Sequence, residues 1–184
     1  MEFEKFSSVP FGVFYPSARV DFLHLIFCKK PAIRVQVKNS EDLIKVKNWS
    51  SNWNYYLAFD EAFFVCISPI EILPLEILTL DQSPEAHERK LGNLLGYPPC
   101  CCEFIEFIGE KNIEKLENEV KNWIFLSPFD LINPQDYFNG GALICHIPCS
   151  VTCKPSLDIA HRAHAIINEN KGKKIFKNWE QWMG

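Results

Sequence analysis

The sequence predicts an α+β fold in which an N-terminal antiparallel sheet packs against a C-terminal helical, cysteine-rich half. Before residue 80, β-branched and aromatic residues alternate with polar residues in several short segments, as in half-buried strands. After residue 82, apolar residues recur at helical spacing, and prolines and glycines stand where helices begin and end. We therefore interpret residues 1–184 as a single domain, with a strand-rich subregion over 1–82 and a helical subregion over 83–184.

The strand-rich subregion is predicted to contain two hairpins. Residues 19–28 and 32–37 form the first pair of predicted strands, and the basic turn between them is interpreted as solvated. Residues 54–59 and 62–68 form the second pair, and residues 41–49 have the apolar spacing of a short helix. Two prolines interrupt residues 69–80, which predicts an edge strand or an extended connector, because proline removes a backbone donor from a sheet.

Four helices are predicted in the second subregion. The first spans residues 83–95, with Ser83 as its N-cap, Pro84 in its first position and Gly96 after its end. The second spans residues 100–108, begins after Pro99 and ends at Gly109. The third is predicted over residues 113–125, and the last over residues 156–170.

Composition and charge exclude several functions. No apolar run approaches the roughly 18 residues of a membrane-spanning helix, and the N-terminus has no secretory signal, so we expect a cytoplasmic protein without a membrane partner. Residues 49–120 carry four basic and thirteen acidic side chains, and the pI is about 5.7. Nucleic-acid binding is therefore not expected. Phosphate-binding and dinucleotide-binding motifs are missing from the sequence.

The eight cysteines are the most informative feature. Six of them fall in two clusters, at positions 100, 101 and 102 and at positions 145, 149 and 153, which argues for a site. Pro99 and Pro148 are each suited to begin a helix, where backbone N–H groups favour a thiolate. Residues four apart on one helical turn share a face, so Cys149 and Cys153 are predicted to reach one ion. The remaining two, Cys28 and Cys66, are assigned to the core.

The two clusters lie in motifs that resemble a known family. GYPPCC over residues 96–101 and HIPCSVTC over residues 146–153 are similar to an uncharacterised prokaryotic domain-of-unknown-function family, which is marked by Gly-Tyr-Pro-x-Cys-Cys and His-x-Pro-Cys-Ser-x-x-Cys. The resemblance covers about residues 91–165 and implies no activity. It selects Cys100, Cys101, Cys149 and Cys153, and leaves Cys102 and Cys145 as additional cysteines.

The favoured hypothesis is a cytoplasmic metalloprotein with an iron–sulfur cluster on these four cysteines and with sulfur-transfer or redox chemistry, although no particular substrate is indicated. A structural zinc or interaction module is the alternative. Its weakness is that adjacent Cys100 and Cys101 do not have the usual spacing of zinc ligands. A metal-free thiol or disulfide redox protein would use Cys100 or Cys149 as nucleophile and His146 as acid or base. The remaining hypothesis is that the cysteines bind no metal, do no chemistry and pack as ordinary core residues.

Overall fold

The computed structural model describes residues 1–85, 87–109, 112, 115 and 129–182. Within these residues, an antiparallel sheet of three strands lies in the N-terminal half and the C-terminal region is helical, which confirms the predicted α+β fold class. The α-helices are α1 (Glu2–Ser7), α2 (Ala18–Phe27), α3 (Leu43–Asn52), α4 (Leu73–Asp81), α5 (Glu88–Leu94), α6 (Pro99–Ile108) and α7 (Lys154–Glu169). The strands are β1 (Ile33–Gln36), β2 (Tyr56–Phe59) and β3 (Phe64–Ser68). Short 3-10 helices cover Phe11–Val13, Ser40–Asp42, Phe129–Ile132 and Gln135–Tyr137, and a longer 3-10 segment with a kink at Trp179 covers Lys174–Trp182.

The sheet has the order β1-β3-β2, and both pairs are antiparallel. The central strand β3 places Ile67 between Ile33 of β1 and Leu57 of β2. The predicted hairpin over residues 54–68 is therefore confirmed, as is the predicted helix that precedes it, which corresponds to α3. Residues 65–67 of β3 are fully buried because both faces of the sheet are covered, with Val65 and Ile67 in the main core and Cys66 in a second apolar cluster.

The prediction of a strand over residues 19–28 is wrong, because this segment forms helix α2. Apolar residues lie on all sides of α2, and even Asp21 and His24 are buried. A helix that is buried all round has no polar face, so its sequence lacks the helical period and cannot be told from a buried strand by periodicity. As a result, β1 pairs with β3 and not with residues 19–28.

Two further elements differ from the predictions, one in its type and one in where it begins. Residues 69–80 are not an edge strand, since Leu73–Asp81 forms helix α4 with Pro74 in its first turn, where proline's missing N–H breaks no helical bond. Helix α5 begins at Glu88 and not at residue 83, and the Ser83 hydroxyl accepts a hydrogen bond from the Glu85 N–H at 3.3 Å in the connecting turn. The helix predicted over residues 113–125 lies outside the described residues.

The second and last predicted helices are confirmed as α6 and α7, and α7 starts two residues earlier than expected. The core joins the two halves of the chain. Phe6 of α1 stacks on Phe176 of the C-terminal 3-10 helix at a centroid distance of 5.4 Å. Trp179 is fully buried beside them and donates a hydrogen bond from its ring N–H to the Ala142 carbonyl at 2.9 Å. Among the described helices, none combines the length and apolar character needed to cross a bilayer.

Candidate metal centre

The first cysteine motif lies where α5 ends and α6 begins. Gly96 ends α5 with a φ of 75°, and a Cβ at this position would lie 2.4 Å from Pro31 Cδ, so only glycine fits the turn. Pro99 then occupies the first turn of α6. The Pro98 carbonyl accepts the backbone N–H groups of Cys101 and Cys102 at 2.9 and 3.0 Å, so the cysteines stand in the first turn of a regular helix.

The second cysteine motif has a different backbone from the one predicted. Cys149 lies in an irregular segment and not at the start of a helix, and Cys153 is the N-cap of α7. The predicted helical turn from Cys149 to Cys153 is therefore wrong, because Pro155 is accommodated only in the first turn of the helix. A turn in which the Cys153 N–H donates to the Ser150 carbonyl at 3.2 Å brings the two cysteines together instead.

The four predicted ligands meet at one point. The sulfurs of Cys100, Cys101, Cys149 and Cys153 all lie within 4.8 Å of one another, and all four thiols are free. The Sγ–Sγ distances are 3.6 Å from Cys101 to Cys153, 3.8 Å from Cys100 to Cys153 and 4.0 Å from Cys100 to Cys101. Four thiols at such distances form a group that is able to bind a metal ion.

The ligands differ in burial and in hydrogen bonding. Cys101 and Cys153 are buried, whereas Cys100 and Cys149 are half-buried. The hydroxyl of Ser156, which is fully buried in the first turn of α7, donates to Cys153 Sγ at 3.2 Å and lies 3.5 Å from Cys101 Sγ. Ser156 thus contacts the two buried sulfurs from the interior of the protein, while Cys100 and Cys149 lie nearer the surface.

These surroundings separate the pKa values of the thiols. Burial raises the pKa of Cys149 to about 11 and that of Cys101 even further. For Cys153, burial acts in the same direction, but hydrogen bonds from the Ser156 hydroxyl and backbone N–H outweigh it and lower the pKa. Cys153 is therefore the first thiolate of these three, and a bound cation would be needed to deprotonate the others at neutral pH.

His146 lies behind the cysteines and is not among the four grouped ligands. Its Nε2 is 2.8 Å from Ser156 Oγ, and its ring packs on Tyr97 at a centroid distance of 5.4 Å. Burial, followed by the charges of His24 and Lys30, lowers the pKa of His146 to about 3, so the ring is neutral. Because the Ser156 hydroxyl proton points to Cys153, Nε2 donates to Ser156. His146 therefore acts on the cysteines through Ser156.

A second buried polar cluster, which we call the lysine network, consists of Lys30, Asp21, Tyr137 and Cys145. Lys30 Nζ donates to Asp21 Oδ1 at 2.8 Å and to Cys145 Sγ at 3.2 Å, and the Tyr137 hydroxyl donates to Asp21 Oδ2 at 2.6 Å. Burial alone would lower the pKa of Lys30, but the Asp21 carboxylate outweighs it and holds the pKa well above its usual value. The interpretation of this lysine as part of a solvated turn is wrong, since it is only 8% exposed.

Sequence reasoning thus selects the four grouped cysteines and singles out His146, but it misses Ser156. Cys66 is confirmed as a core residue, while Cys28 is half-buried at the end of α2. Ser156 could have been found from the sequence. It lies three residues after Cys153, which is about one helical turn if a helix begins at Lys154. Lys30 and Asp21 carry no such sequence signal, since Cys145, which contacts Lys30, and Tyr137, which contacts Asp21, are both more than 100 positions away.

Comparison with known proteins gives no match to a family model, to a curated protein or to a solved structure. The family resemblance of the two cysteine motifs therefore stays a prediction from the sequence.

Proposed function

We propose that this chain is a cytoplasmic zinc protein in which Cys100, Cys101, Cys149 and Cys153 hold one ion. The observation that carries the proposal is the spacing of the sulfurs, at 3.6, 3.8 and 4.0 Å for three of the pairs. A tetrahedral zinc ion with Zn–S bonds of about 2.3 Å has S–S edges of ~3.8 Å. The cysteines are spaced for such an ion, and a reducing cytoplasm keeps them unpaired.

The spacing favours one ion over the iron–sulfur cluster favoured by the sequence. In a cluster, bridging sulfides and more than one iron ion lie between the cysteines, and the ligands are divided among the irons. The thiolate sulfurs of a cluster are therefore spread more widely than the edges of a single tetrahedron. A mutual separation below 4.8 Å for all four sulfurs fits the smaller centre better.

The site has the features of a structural zinc centre. Four thiolates complete the tetrahedron and leave no open position for water or a substrate, as in structural zinc sites. The ion would connect the first turn of α6 with the N-cap of α7, which lie 53 positions apart in the chain. His146, proposed from the sequence as an acid or base, is in our proposal a positioning residue that orients Ser156 toward the ligands.

Metal analysis tests this proposal. The protein is purified without oxygen, and zinc, iron and acid-labile sulfide are measured per chain for the wild type, for Cys153→Ala and for Cys66→Ala. We expect one zinc ion and no sulfide in the wild type, loss of zinc in Cys153→Ala, and full zinc in Cys66→Ala, because Cys66 lies in β3 outside the site. Iron with sulfide would instead support the cluster, and metal-free protein with one rapidly alkylated cysteine would support thiol chemistry.

A further inference from the structure

The two outer strands of the sheet differ in how their outer edges are covered. Beside β1, the Lys38 N–H donates to the Val13 carbonyl at 2.9 Å, and Val37 pairs with Phe14. Beside β2, no backbone group among the residues that the structure describes forms a hydrogen bond to the outer side of the strand. An uncovered strand edge is a template for pairing with another strand, and natural sheets usually protect such edges.

The outer edge of β2 presents the backbone groups of two residues. The Asp60 N–H, just after the strand, donates into β3 at 3.1 Å. Because this direction alternates along an antiparallel strand, Tyr56 and Ala58 also bond to β3, whereas the N–H and C=O groups of Leu57 and Phe59 point outward. The strand carries no charged residue and no proline, which are the usual protection of an edge.

Exposed apolar side chains are concentrated around this edge. Helices α3 and α4 both lie against β2. A concentration of exposed apolar side chains indicates an interaction surface. Of the ten large apolar side chains that are exposed in the described part of the chain, six belong to these three elements or to the connection before α4: Ile44, Tyr56, Phe59, Ile70, Ile72 and Leu75.

We propose that β2 pairs antiparallel with β2 of a second copy of this chain, so that two three-stranded sheets join into one continuous sheet. With Ala58 on the two-fold axis, Leu57 of each copy lies opposite Phe59 of the other, and every outward N–H meets an outward C=O. A register centred on Leu57 would instead place Phe59 opposite Tyr55, whose N–H already donates to the Ser50 carbonyl at 2.8 Å. The register centred on Ala58 therefore uses the free edge completely.

The charges around β2 fit a second copy. Residues Tyr56–Phe59 are uncharged, so self-pairing places no like charges opposite each other within the strand. Before the strand, Lys5 Nζ lies 4.8 Å over the Tyr55 ring, and after the strand come Asp60 and Glu61. Antiparallel pairing brings the acidic end of one copy to the Lys5 end of the other. This interface does not depend on the metal centre.

Association of the full chain tests the proposal. Light scattering measures the average mass from about 10 µM to about 1 mM chain, with a reductant present to exclude disulfide-linked dimers. We expect the mass to rise from 21.3 kDa toward that of two chains. Over the same range, amide hydrogen exchange should slow at Leu57 and Phe59, and it should be slow throughout at Tyr56 and Ala58, which bond to β3.

Two lysine substitutions test the register. Phe59 and Tyr56 are similarly exposed, at 41% and 45%, but in the paired strands Phe59 lies opposite the apolar Leu57 and Tyr56 lies opposite Asp60. Phe59→Lys should weaken dimerisation by at least about tenfold, because it buries an unpaired charge. Tyr56→Lys, the matched control, should leave dimerisation unchanged or strengthen it, because its charge meets a carboxylate.

Reversing the charges at the two ends of β2 gives an independent test. Lys5→Glu and Glu61→Lys should each weaken dimerisation by at least about threefold, since like charges then face each other across the axis. The two substitutions in one chain should restore the wild-type dimerisation. Glu2, which also acts on Tyr55, is left unchanged in every variant.

Several results would overturn the proposal. One is a chain that stays monomeric over the whole concentration range. Others are an equal effect of Phe59→Lys and Tyr56→Lys, or a charge-reversed pair that does not restore dimerisation. Protection of the Leu57 and Phe59 amides at every concentration in a monomer would also overturn it, because another segment or a bound partner would then cover the edge.

Discussion

The metal centre and the lysine network are both buried polar clusters, yet only one of them is visible in the sequence. The metal centre takes its ligands from two short motifs, because four identical thiols must surround one ion. The lysine network combines four different residue types from separate parts of the chain. Repeated use of one reactive residue type leaves a pattern along the chain, whereas pairing of complementary groups across the fold leaves none.

The two clusters also differ in how their polar groups are satisfied. Lys30 directs its ammonium group to Asp21 and Cys145 and lies 4.8 Å above the Tyr97 ring, so its partners are all supplied by the chain. The metal-centre sulfurs mainly contact each other, and they need a cation to hold four thiolates together. Damage to the network should therefore reduce stability with or without metal, whereas damage to the centre should reduce metal binding and, through it, the stability of the metal-loaded chain.

Lys30→Met is expected to have the largest effect on stability. It leaves the Asp21 carboxylate buried without its cation, and breaking one side of a buried ion pair costs about 3–5 kcal/mol. The measurement is the free energy of unfolding in urea, with the metal content determined in parallel. The number of zinc ions bound per chain should stay unchanged in the folded variant, because the contacts of Lys30 are with Asp21, Cys145 and Tyr97 and not with the four ligands.

Lys45→Met is the matched control for this prediction. Lys45 pairs with Asp42 at 2.6 Å, but its side chain is 60% exposed, so its loss should change the free energy of unfolding by less than about 1 kcal/mol. Equal losses of unfolding free energy in the two variants would show that the buried Lys30–Asp21 pair contributes no more to stability than an exposed pair. Loss of zinc in folded Lys30→Met would show that the two clusters are not independent.

The next largest effect concerns pH and His24, which donates from Nε2 to the Leu143 carbonyl at 2.8 Å. Burial, helped by the nearby Lys30 charge, lowers the pKa of His24 to about 4. The unfolded chain binds this proton more readily, so the stabilisation is complete above about pH 6.5 and is lost as the pH falls toward 4. At pH 5, His24 alone should reduce the free energy of unfolding by about 2 kcal/mol relative to pH 7.

Unfolding of wild type and His24→Gln at pH 7 and pH 5 measures this contribution. Glutamine retains an N–H donor for Leu143 and does not titrate, so the difference between the two pH values should be about 2 kcal/mol smaller in the variant. Both proteins are stripped of metal, which removes the competition between protons and metal for the thiols. An identical pH dependence in the two proteins would contradict the assignment to His24.

The same contrast explains which elements were predictable. Helix α6 carries a proline in its first turn and a glycine after its end, and these local signals place it correctly. Helix α2 is buried on all sides, so tertiary packing and not periodicity decides its structure. The sulfurs of Cys149 and Cys153 meet as predicted, but through a turn before α7, since ligand spacing does not specify the backbone between two ligands.

Ser156→Ala is the substitution that separates the two clusters most clearly. Its hydroxyl donates to Cys153 and accepts from His146, so the substitution removes the support of the buried ligands and leaves Nε2 of His146 without its partner. Losing such outer contacts weakens metal sites by about 10- to 100-fold. The metal-free protein should lose about 1–3 kcal/mol, because the ring N–H of the buried His146 is left without an acceptor.

Ser50→Ala provides the control, because the Ser50 hydroxyl is equally buried but finds no hydrogen-bond partner among the described residues. Competition with a chromophoric chelator measures zinc affinity, and urea unfolding measures stability. Ser50→Ala should keep wild-type affinity. If Ser156→Ala also keeps wild-type zinc affinity, Ser156 and His146 only pack next to the cysteines and do not affect metal binding. If zinc affinity falls while the metal-free chain stays folded, the hydrogen bonds of α7 act on the metal, whereas those of the lysine network act on the fold.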